Sequence, residues 1–160
     1  GAGGRDFVSR GTLSVGDPAP DFELPATGGG SIRLSSLRPR PVVVVFYPGD
    51  DSPVCTRQLS SYSEGLSQFE ALDAQVLGIS AQDMASHESF SAKHGLGFPL
   101  LADTDKAVSV EWGTLGPLGF PRRSVFILDG SGTIRYAHRA KAGLTYRPVD
   151  ELVAALAALD

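Results

Sequence analysis

Residues 42–59, VVVVFYPGDDSPVCTRQL, join an uninterrupted apolar run, a proline-containing turn and the only cysteine among the 160 residues. A continuous β-branched run, as opposed to an alternating one, is typical of a strand buried on both faces of a sheet. In the turn, Ser52 followed by Pro53 indicates the start of a helix. The stretch therefore predicts a buried strand at 42–47, a tight turn and a helix that begins next to the cysteine.

The same alternation continues along the chain and indicates an α/β fold. Apolar runs at 75–80 and 124–128 predict further buried strands, and residues 84–94 predict a helix ended by Gly95. The turn DGSG separates 124–128 from 133–138, which together predict a β-hairpin. Strands that alternate with helices and end in a hairpin predict a central mixed β-sheet flanked by helices on both faces.

Helical spacing of apolar residues predicts the elements around this sheet. One helix is expected to run from Ser52 past residue 64, because apolar residues continue at spacings of three or four. These residues are Leu59, Tyr62, Leu66, Phe69 and Leu72. Shorter helices are expected around 106–112 and from 149 to 159.

Composition and charge limit the classes of function. With 42% hydrophobic and 20% charged residues, the chain has the composition of a globular domain. A formal charge of -4 gives no basic surface for nucleic acid or for anionic membranes, and no apolar run approaches the roughly 18 residues that span a bilayer. We expect one domain at 14–160, a flexible leader or processing remnant at 1–13, and a cytoplasmic location.

Cys55 is either an inert buried thiol, as most free cysteines are, or a reactive one. It lies in the first turn of the predicted helix, where unpaired N–H groups and the positive end of the helix dipole favour an anion. That turn also follows the carboxyl end of a strand, where open α/β sheets bind ligands. The setting favours a reactive thiolate. No Cys/His cluster has the spacing of a zinc site, and His87, His94 and His138 are not assigned to the chemistry.

A thiolate alone does not make a fast enzyme. Lowering a thiol pKa from about 8.5 to about 6 raises the thiolate fraction at neutral pH roughly 30-fold, but the weaker nucleophile loses roughly 10- to 20-fold. The net gain in rate is only two- to three-fold. A fast enzyme must also stabilise the charge that develops on the leaving group, and this requires hydrogen-bond donors and a cation. Arg123, at the start of a predicted strand, is the candidate cation because a buried arginine needs a partner. The Ser52 hydroxyl is either a simple helix cap or a catalytic donor.

These residues resemble the peroxiredoxins, in particular the branch of bacterioferritin comigratory protein (peroxiredoxin Q) and one-cysteine alkyl hydroperoxide reductase E. Pro48, Ser52 and Cys55 match the family motif of proline, three residues, threonine or serine, two residues and cysteine. The similarity continues through VGDPAPDFELP, HGLGFPLLADTDKAVSVEWG and PRRSVFILDGSG. The resemblance implies a thioredoxin-like fold and a thiol-dependent peroxidase that reduces hydrogen peroxide and organic hydroperoxides without a cofactor or metal.

By position, the resemblance makes Cys55 the peroxidatic cysteine, which attacks the terminal peroxide oxygen and becomes a sulfenic acid. It implies that Pro48 shields the thiol, that Ser52 hydrogen-bonds sulfur and peroxide, and that Arg123 holds the thiolate and polarises the departing oxygen. A purely structural turn role for Pro48 stays open. Gln58 is a weaker candidate and is left out of the predicted site.

The chain differs from the pattern at Ser60, where many peroxiredoxin Q proteins carry a resolving cysteine. Regeneration is therefore expected to use an external thiol: thioredoxin, a glutaredoxin-like protein or a low-molecular-weight thiol. Two alternatives are a non-catalytic thioredoxin-fold binding module and a thiol–disulfide oxidoreductase. The second is weak because CTRQ has Gln58 where a C-x-x-C motif has cysteine. The chain is expected to be a monomer or a homodimer, and the apolar loop 113–120 to be a dimer contact, a lid or a segment packed on its own domain.

Overall fold

A central mixed β-sheet organises the protein. The computed structural model describes residues 13–140 and 145–159. The strands within these residues are β1 (Glu23–Pro25), β2 (Ser31–Arg33), β3 (Val42–Phe46), β4 (Gln75–Ser80), β5 (Leu100–Ala102), β6 (Ser124–Leu128) and β7 (Ile134–Arg139). The helices are α1 (Pro53–Glu64), α2 (Leu66–Glu70), α3 (Met84–His94), α4 (Ala107–Glu111) and α5 (Val149–Ala157), with a 3-10 helix at Leu34–Leu37. The order in the main sheet is β5-β4-β3-β6-β7, and β1 pairs with β2 separately.

Strand β3 lies at the centre of this sheet, as its sequence predicts. All five of its residues are buried. It runs parallel to β4, with Val44 opposite Leu77, and antiparallel to β6, with Val44 opposite Phe126. β5 is parallel to β4, and β7 is antiparallel to β6. The sheet is therefore mixed, and the predicted hairpin of β6 and β7 is confirmed.

Two apolar cores cover the two faces of the sheet. On one face, strand residues pack with side chains of α1, α2, α3 and α5; the strand members are Val43, Val45, Val76, Val125 and Ile127, and the helix members are Leu59, Tyr62, Phe69, Phe90 and Leu152. On the other face, Phe46 and Phe126 pack with Val108 of α4 and with Trp112. The predicted α/β sandwich with helices on both faces is confirmed. The β1–β2 hairpin also covers the second face, and the sequence did not predict this hairpin.

The single helix predicted from Ser52 through Leu72 is wrong, because the chain forms two helices on either side of Gly65. A Cβ atom at Gly65 would lie 2.9 Å from Cγ1 of Val149, so the first residue of α5 approaches the backbone there. Apolar periodicity does not predict this break, because Leu66 and Phe69, which follow it, still pack against the same core as α1.

The predicted boundary between leader and domain falls at the edge of the described residues. Residues 1–12 lie outside them, and Leu13, which we assigned to the leader, is buried in the second core. Within residues 13–140 and 145–159, no helix is long and apolar enough to cross a membrane.

Candidate active site

The start of α1 places Cys55 directly after the central strand. Ser52 is the N-cap, with an extended backbone and a side chain that accepts a hydrogen bond from the Cys55 N–H at 3.3 Å. Pro53 occupies the first helical position, where its missing N–H leaves no bond unmade. The helix start predicted from the sequence is thus present, and Cys55 lies in its first turn.

Arg123 reaches the sulfur from the neighbouring strand. Ser124, the first residue of β6, pairs with Phe46, the last residue of β3, so Arg123 lies beside the turn that leads to Cys55. Its Nη2 donates to the Cys55 Sγ at 3.4 Å. Cys55 is fully buried and Arg123 is only 4% exposed, so water screens this contact little. The sulfur is therefore held against a guanidinium and is not enclosed by hydrocarbon alone.

Gln58 and Tyr62 extend the contact into a buried chain of hydrogen bonds. The Arg123 Nη1 donates to the Gln58 Oε1 at 2.6 Å, and the Gln58 Nε2 donates to the Tyr62 hydroxyl at 3.2 Å. The Tyr62 hydroxyl donates in turn to the backbone carbonyl of Arg147 at 2.6 Å. Burial raises the pKa of Tyr62 to about 12, so its phenol keeps the proton that this bond requires.

This chain fixes how the Gln58 amide is oriented. The single Tyr62 proton is used by the Arg147 carbonyl, so the Tyr62 oxygen can only accept from Gln58. The Gln58 carbonyl oxygen must then face Arg123. From the sequence alone, Gln58 is only a weaker candidate and Tyr62 is a packing residue. The signal available was a polar residue three positions after the cysteine, on the helix face that is otherwise apolar.

A cavity of about 630 Å³ opens beside these groups. Pro48, Ser52 and Arg123 line it, together with Val54 from the first turn of α1. The facing wall comes from the 113–120 loop, whose Leu118 is 79% exposed. Three of the four predicted site residues thus lie on the cavity wall, and the fourth, Cys55, is reached by one of them, Arg123. The loop therefore forms one wall of this cavity; its roles as a dimer contact or a lid stay predictions.

The described residues contain no group of three or more His, Cys, Asp or Glu side chains placed to hold a metal ion. The Arg123 Nη2 donates to the Cys55 sulfur, and the Cys55 backbone N–H donates to the Ser52 hydroxyl that caps α1. The chemistry that these groups can support is that of a thiolate with adjacent hydrogen-bond donors.

Known proteins share both the sequence and the fold. The AhpC/TSA family model matches residues 15–137. Chloroplastic peroxiredoxin Q of Oryza sativa subsp. japonica is 39% identical over 137 residues, which cover 84% of this chain and 63% of the rice protein. The chain therefore spans less than two thirds of that relative's length.

Two solved structures agree with this match. Peroxidoxin BcpB from Mycobacterium tuberculosis has a TM-score of 0.84 and 29% identity, and the alignment covers 92% of this chain and 99% of that one. Peroxiredoxin Q of Xanthomonas campestris has a TM-score of 0.80 and 28% identity, with 94% and 98% covered. Since the family match spans most of the chain and the folds coincide over nearly all of it, the chain belongs to the AhpC/TSA family, in its peroxiredoxin Q branch.

Proposed function

We propose that this protein is a one-cysteine peroxiredoxin, a thiol-dependent peroxidase that reduces hydrogen peroxide and organic hydroperoxides. The proposal rests on one contact, the 3.4 Å hydrogen bond from the Arg123 Nη2 to the Sγ of Cys55 at the start of α1. A guanidinium beside a thiolate can stabilise the negative charge on sulfur and then the charge that moves onto the departing oxygen. A binding module without turnover would have no use for this buried pair.

The reaction balances with these groups. The Cys55 thiolate attacks the terminal oxygen of the hydroperoxide, an S–O bond forms and the O–O bond breaks. Sulfur is oxidised to a sulfenic acid, and the peroxide leaves as an alkoxide or hydroxide that takes up a proton to become alcohol or water. Arg123 stabilises the charge on the leaving oxygen. The Ser52 hydroxyl donates a hydrogen bond to the peroxide, and Pro48 limits the access of water to the sulfur.

Regeneration uses a thiol from outside the 160-residue chain. Since this sequence has no second cysteine, a thiol must attack the Cys55 sulfenic acid, release water and form a mixed disulfide, which a second thiol then reduces. Thioredoxin, a glutaredoxin-like protein and a low-molecular-weight thiol all provide this chemistry. A cytoplasmic location and a monomer or homodimer stay predictions of the sequence; the rice relative is named chloroplastic.

Stopped-flow oxidation of the protein by hydrogen peroxide tests the proposal. We expect a second-order rate far above that of free cysteine, with a dimedone-type trap and mass spectrometry placing the sulfenic acid on Cys55. A rate equal to that of free cysteine would favour the binding module. Offering the candidate thiols one at a time to the oxidised protein then identifies the reductant.

The two roles of Ser52 are compatible, because its oxygen accepts the cap bond while its O–H hydrogen is a separate donor. Ser52→Ala should lower the free energy of unfolding by about 1 kcal/mol, whereas Ser52→Gly should lower it by only a few tenths of a kcal/mol. Both should slow oxidation by peroxide roughly five- to tenfold, because both lose the same donor. Stopped-flow rates and urea unfolding measure the two effects separately. If only Ser52→Ala slows oxidation, the hydroxyl is a helix cap alone.

Tyr62→Phe tests the buried chain behind Arg123. Without the phenolic oxygen the Gln58 amide loses the acceptor that fixes its orientation, and we expect oxidation to slow by roughly three- to tenfold. Tyr146→Phe is the matched control, because its ring lies beside that of Tyr62 with centroids 6.1 Å apart. The stopped-flow rate of the control should equal that of the wild type. Equal rates in both variants would remove Tyr62 from the positioning of Arg123.

A further inference from the structure

A second buried polar cluster lies on the other side of the active-site turn, which we define as residues 48–52. The side chains of Asp50 and His87 are 2% and 0% exposed, and the Nδ1 of His87 lies 2.8 Å from the Oδ2 of Asp50. The Nε2 of the same ring lies 3.0 Å from the backbone carbonyl oxygen of Leu101 in β5. Both nitrogens of one buried imidazole therefore face oxygen atoms.

The hydrogen bonds around this ring determine its protonation. A backbone carbonyl only accepts, so the Nε2 of His87 carries a hydrogen. On the other side, the Asp50 Oδ2 also accepts from the Ser86 hydroxyl at 2.6 Å, and its Oδ1 accepts from the Tyr47 hydroxyl at 2.7 Å. A neutral ring would turn the lone pair of Nδ1 toward an oxygen that is itself an acceptor, which is unfavourable in a dry interior. Hydrogen-bond geometry at both nitrogens therefore favours a ring that carries both hydrogens.

The titration of the neighbours agrees with this assignment. Burial raises the pKa of the Asp50 carboxyl, but hydrogen bonds from His87, Ser86 and Tyr47 outweigh that effect and bring the pKa below its ordinary value. Burial, and then the charge of Asp50, raise the pKa of Tyr47 well above its ordinary value, so its phenol stays a donor. The groups facing the ring are thus an ionised carboxylate, a neutral phenol and a carbonyl.

The same carboxylate holds the active-site turn in place. Asp50 lies between Pro48 and Ser52, and its backbone N–H donates to the Oε1 of Gln82 at 2.9 Å. Residue 50 is therefore fastened through its main chain to the segment after β4 and through its side chain to α3. The next residue, Asp51, has a φ of 66°, a left-handed conformation that is unfavourable for a residue with a side chain. Contacts at Asp50 hold the turn in this conformation together with the ion pair between Asp51 and Lys93.

We infer that Asp50 and His87, held as carboxylate and imidazolium, form a positioning pair that fixes the active-site turn so that Pro48 and Ser52 line the cavity above Cys55. The inference rests on the proposed peroxidase function, because the turn matters for rate only if Cys55 reacts with a peroxide. Neither residue lines the cavity, and the pair acts through the turn. His87, which the sequence did not assign to the chemistry, thereby gains a role outside direct catalysis.

Two amide substitutions at one position test this role. The Nδ2 of an asparagine lies near the position of the His87 Nδ1 and can keep the bond to Asp50, while a glutamine Nε2 reaches instead toward the Leu101 carbonyl. His87→Asn should therefore keep most of the stopped-flow rate of peroxide oxidation. His87→Gln should lose roughly tenfold, because the turn loses the charged bond between Asp50 and α3 and is held less rigidly. Ser86→Ala removes one neutral donor to the same oxygen but leaves the His87–Asp50 bond in place, so its loss of rate should be smaller than that of His87→Gln.

Nitrogen-15 NMR of histidine-labelled wild-type protein measures the protonation of the His87 ring nitrogens without any substitution. We expect one ring with both nitrogens protonated near neutral pH, and its signals should disappear in both His87 variants. If that ring instead has an unprotonated nitrogen, the assignment of the pair is overturned whether or not the variants fold. If His87→Asn and His87→Gln react equally fast, the positioning role is overturned. A wild-type protein that does not react with peroxide contradicts the proposed function instead, while the NMR result still stands on its own.

Discussion

Cys55→Ser abolishes the consumption of peroxide if the proposed function is correct. Cys55 is the only thiol in the sequence, and the group that contacts its side chain, the Arg123 guanidinium, cannot act as a base toward a serine hydroxyl. Arg123 would stabilise an anion that serine does not form near neutral pH. We expect the rate to fall by at least roughly 10³-fold, to the uncatalysed background. A peroxide-consumption assay with an excess of a small thiol measures the loss, and the dimedone-type adduct should disappear with it.

The substitution changes one atom, so the fold is expected to stay intact. Circular dichroism and the urea midpoint should match those of the wild type within the small cost of exchanging a buried sulfur for a hydroxyl. Ser60→Ala serves as the control for the loss of a small side chain on the same helix and should retain the wild-type rate. Peroxide consumption that survives in Cys55→Ser would mean that the chain acts through another group, and the proposal would fail.

The central strand and the cysteine turn could be predicted from the sequence because their signals are local. Residues 42–45 form a continuous β-branched run, which is typical of a strand buried on both faces. Ser52 and Pro53 specify a helix start within two residues, and Cys55 follows in the first turn. The contact with Arg123 lies 68 residues away along the chain. The cost of burying an arginine without a partner made Arg123 a candidate, but its contact with the sulfur was predicted from the family resemblance.

The rest of the site depends on tertiary placement, which a single sequence does not encode in any local pattern. Asp50 and His87 are 37 residues apart in sequence, and their contact exists only in the folded chain, where α3 lies beside the active-site turn. Tyr62 occupies an apolar position of α1, and packing of its ring is enough to account for an aromatic residue there. The sequence gives no sign that its hydroxyl links Gln58 to the carbonyl of Arg147. A side chain such as that of Tyr62 both packs in the core and forms hydrogen bonds, and apolar periodicity predicts only the packing.

Arg123→Met should slow oxidation by roughly 10²- to 10³-fold, because it removes a buried donor from both the sulfur and the leaving oxygen. Methionine retains most of the apolar stem and removes the charge, so the change tests the guanidinium more than the packing. Stopped-flow rates are measured from acid to alkaline pH, where the thiolate fraction becomes complete. If Arg123 acted only by favouring the thiolate, the rate of the variant would recover at the alkaline plateau. We expect it to stay low, since charge on the leaving oxygen remains unstabilised.

Arg123→Lys separates charge from geometry. The guanidinium of Arg123 donates from Nη1 to Gln58 and from Nη2 to Cys55 at the same time, whereas one ammonium group on a flexible stem has no such fixed fork. The lysine variant should therefore react at a rate between those of the methionine variant and the wild type. Arg135→Met, which removes an exposed arginine from β7, is the control and should leave the rate unchanged. A loss in Arg123→Met confined to two- to three-fold matches the thiolate effect alone. That result would take Arg123 out of the bond-breaking step and leave the dipole of α1 as the remaining source of stabilisation.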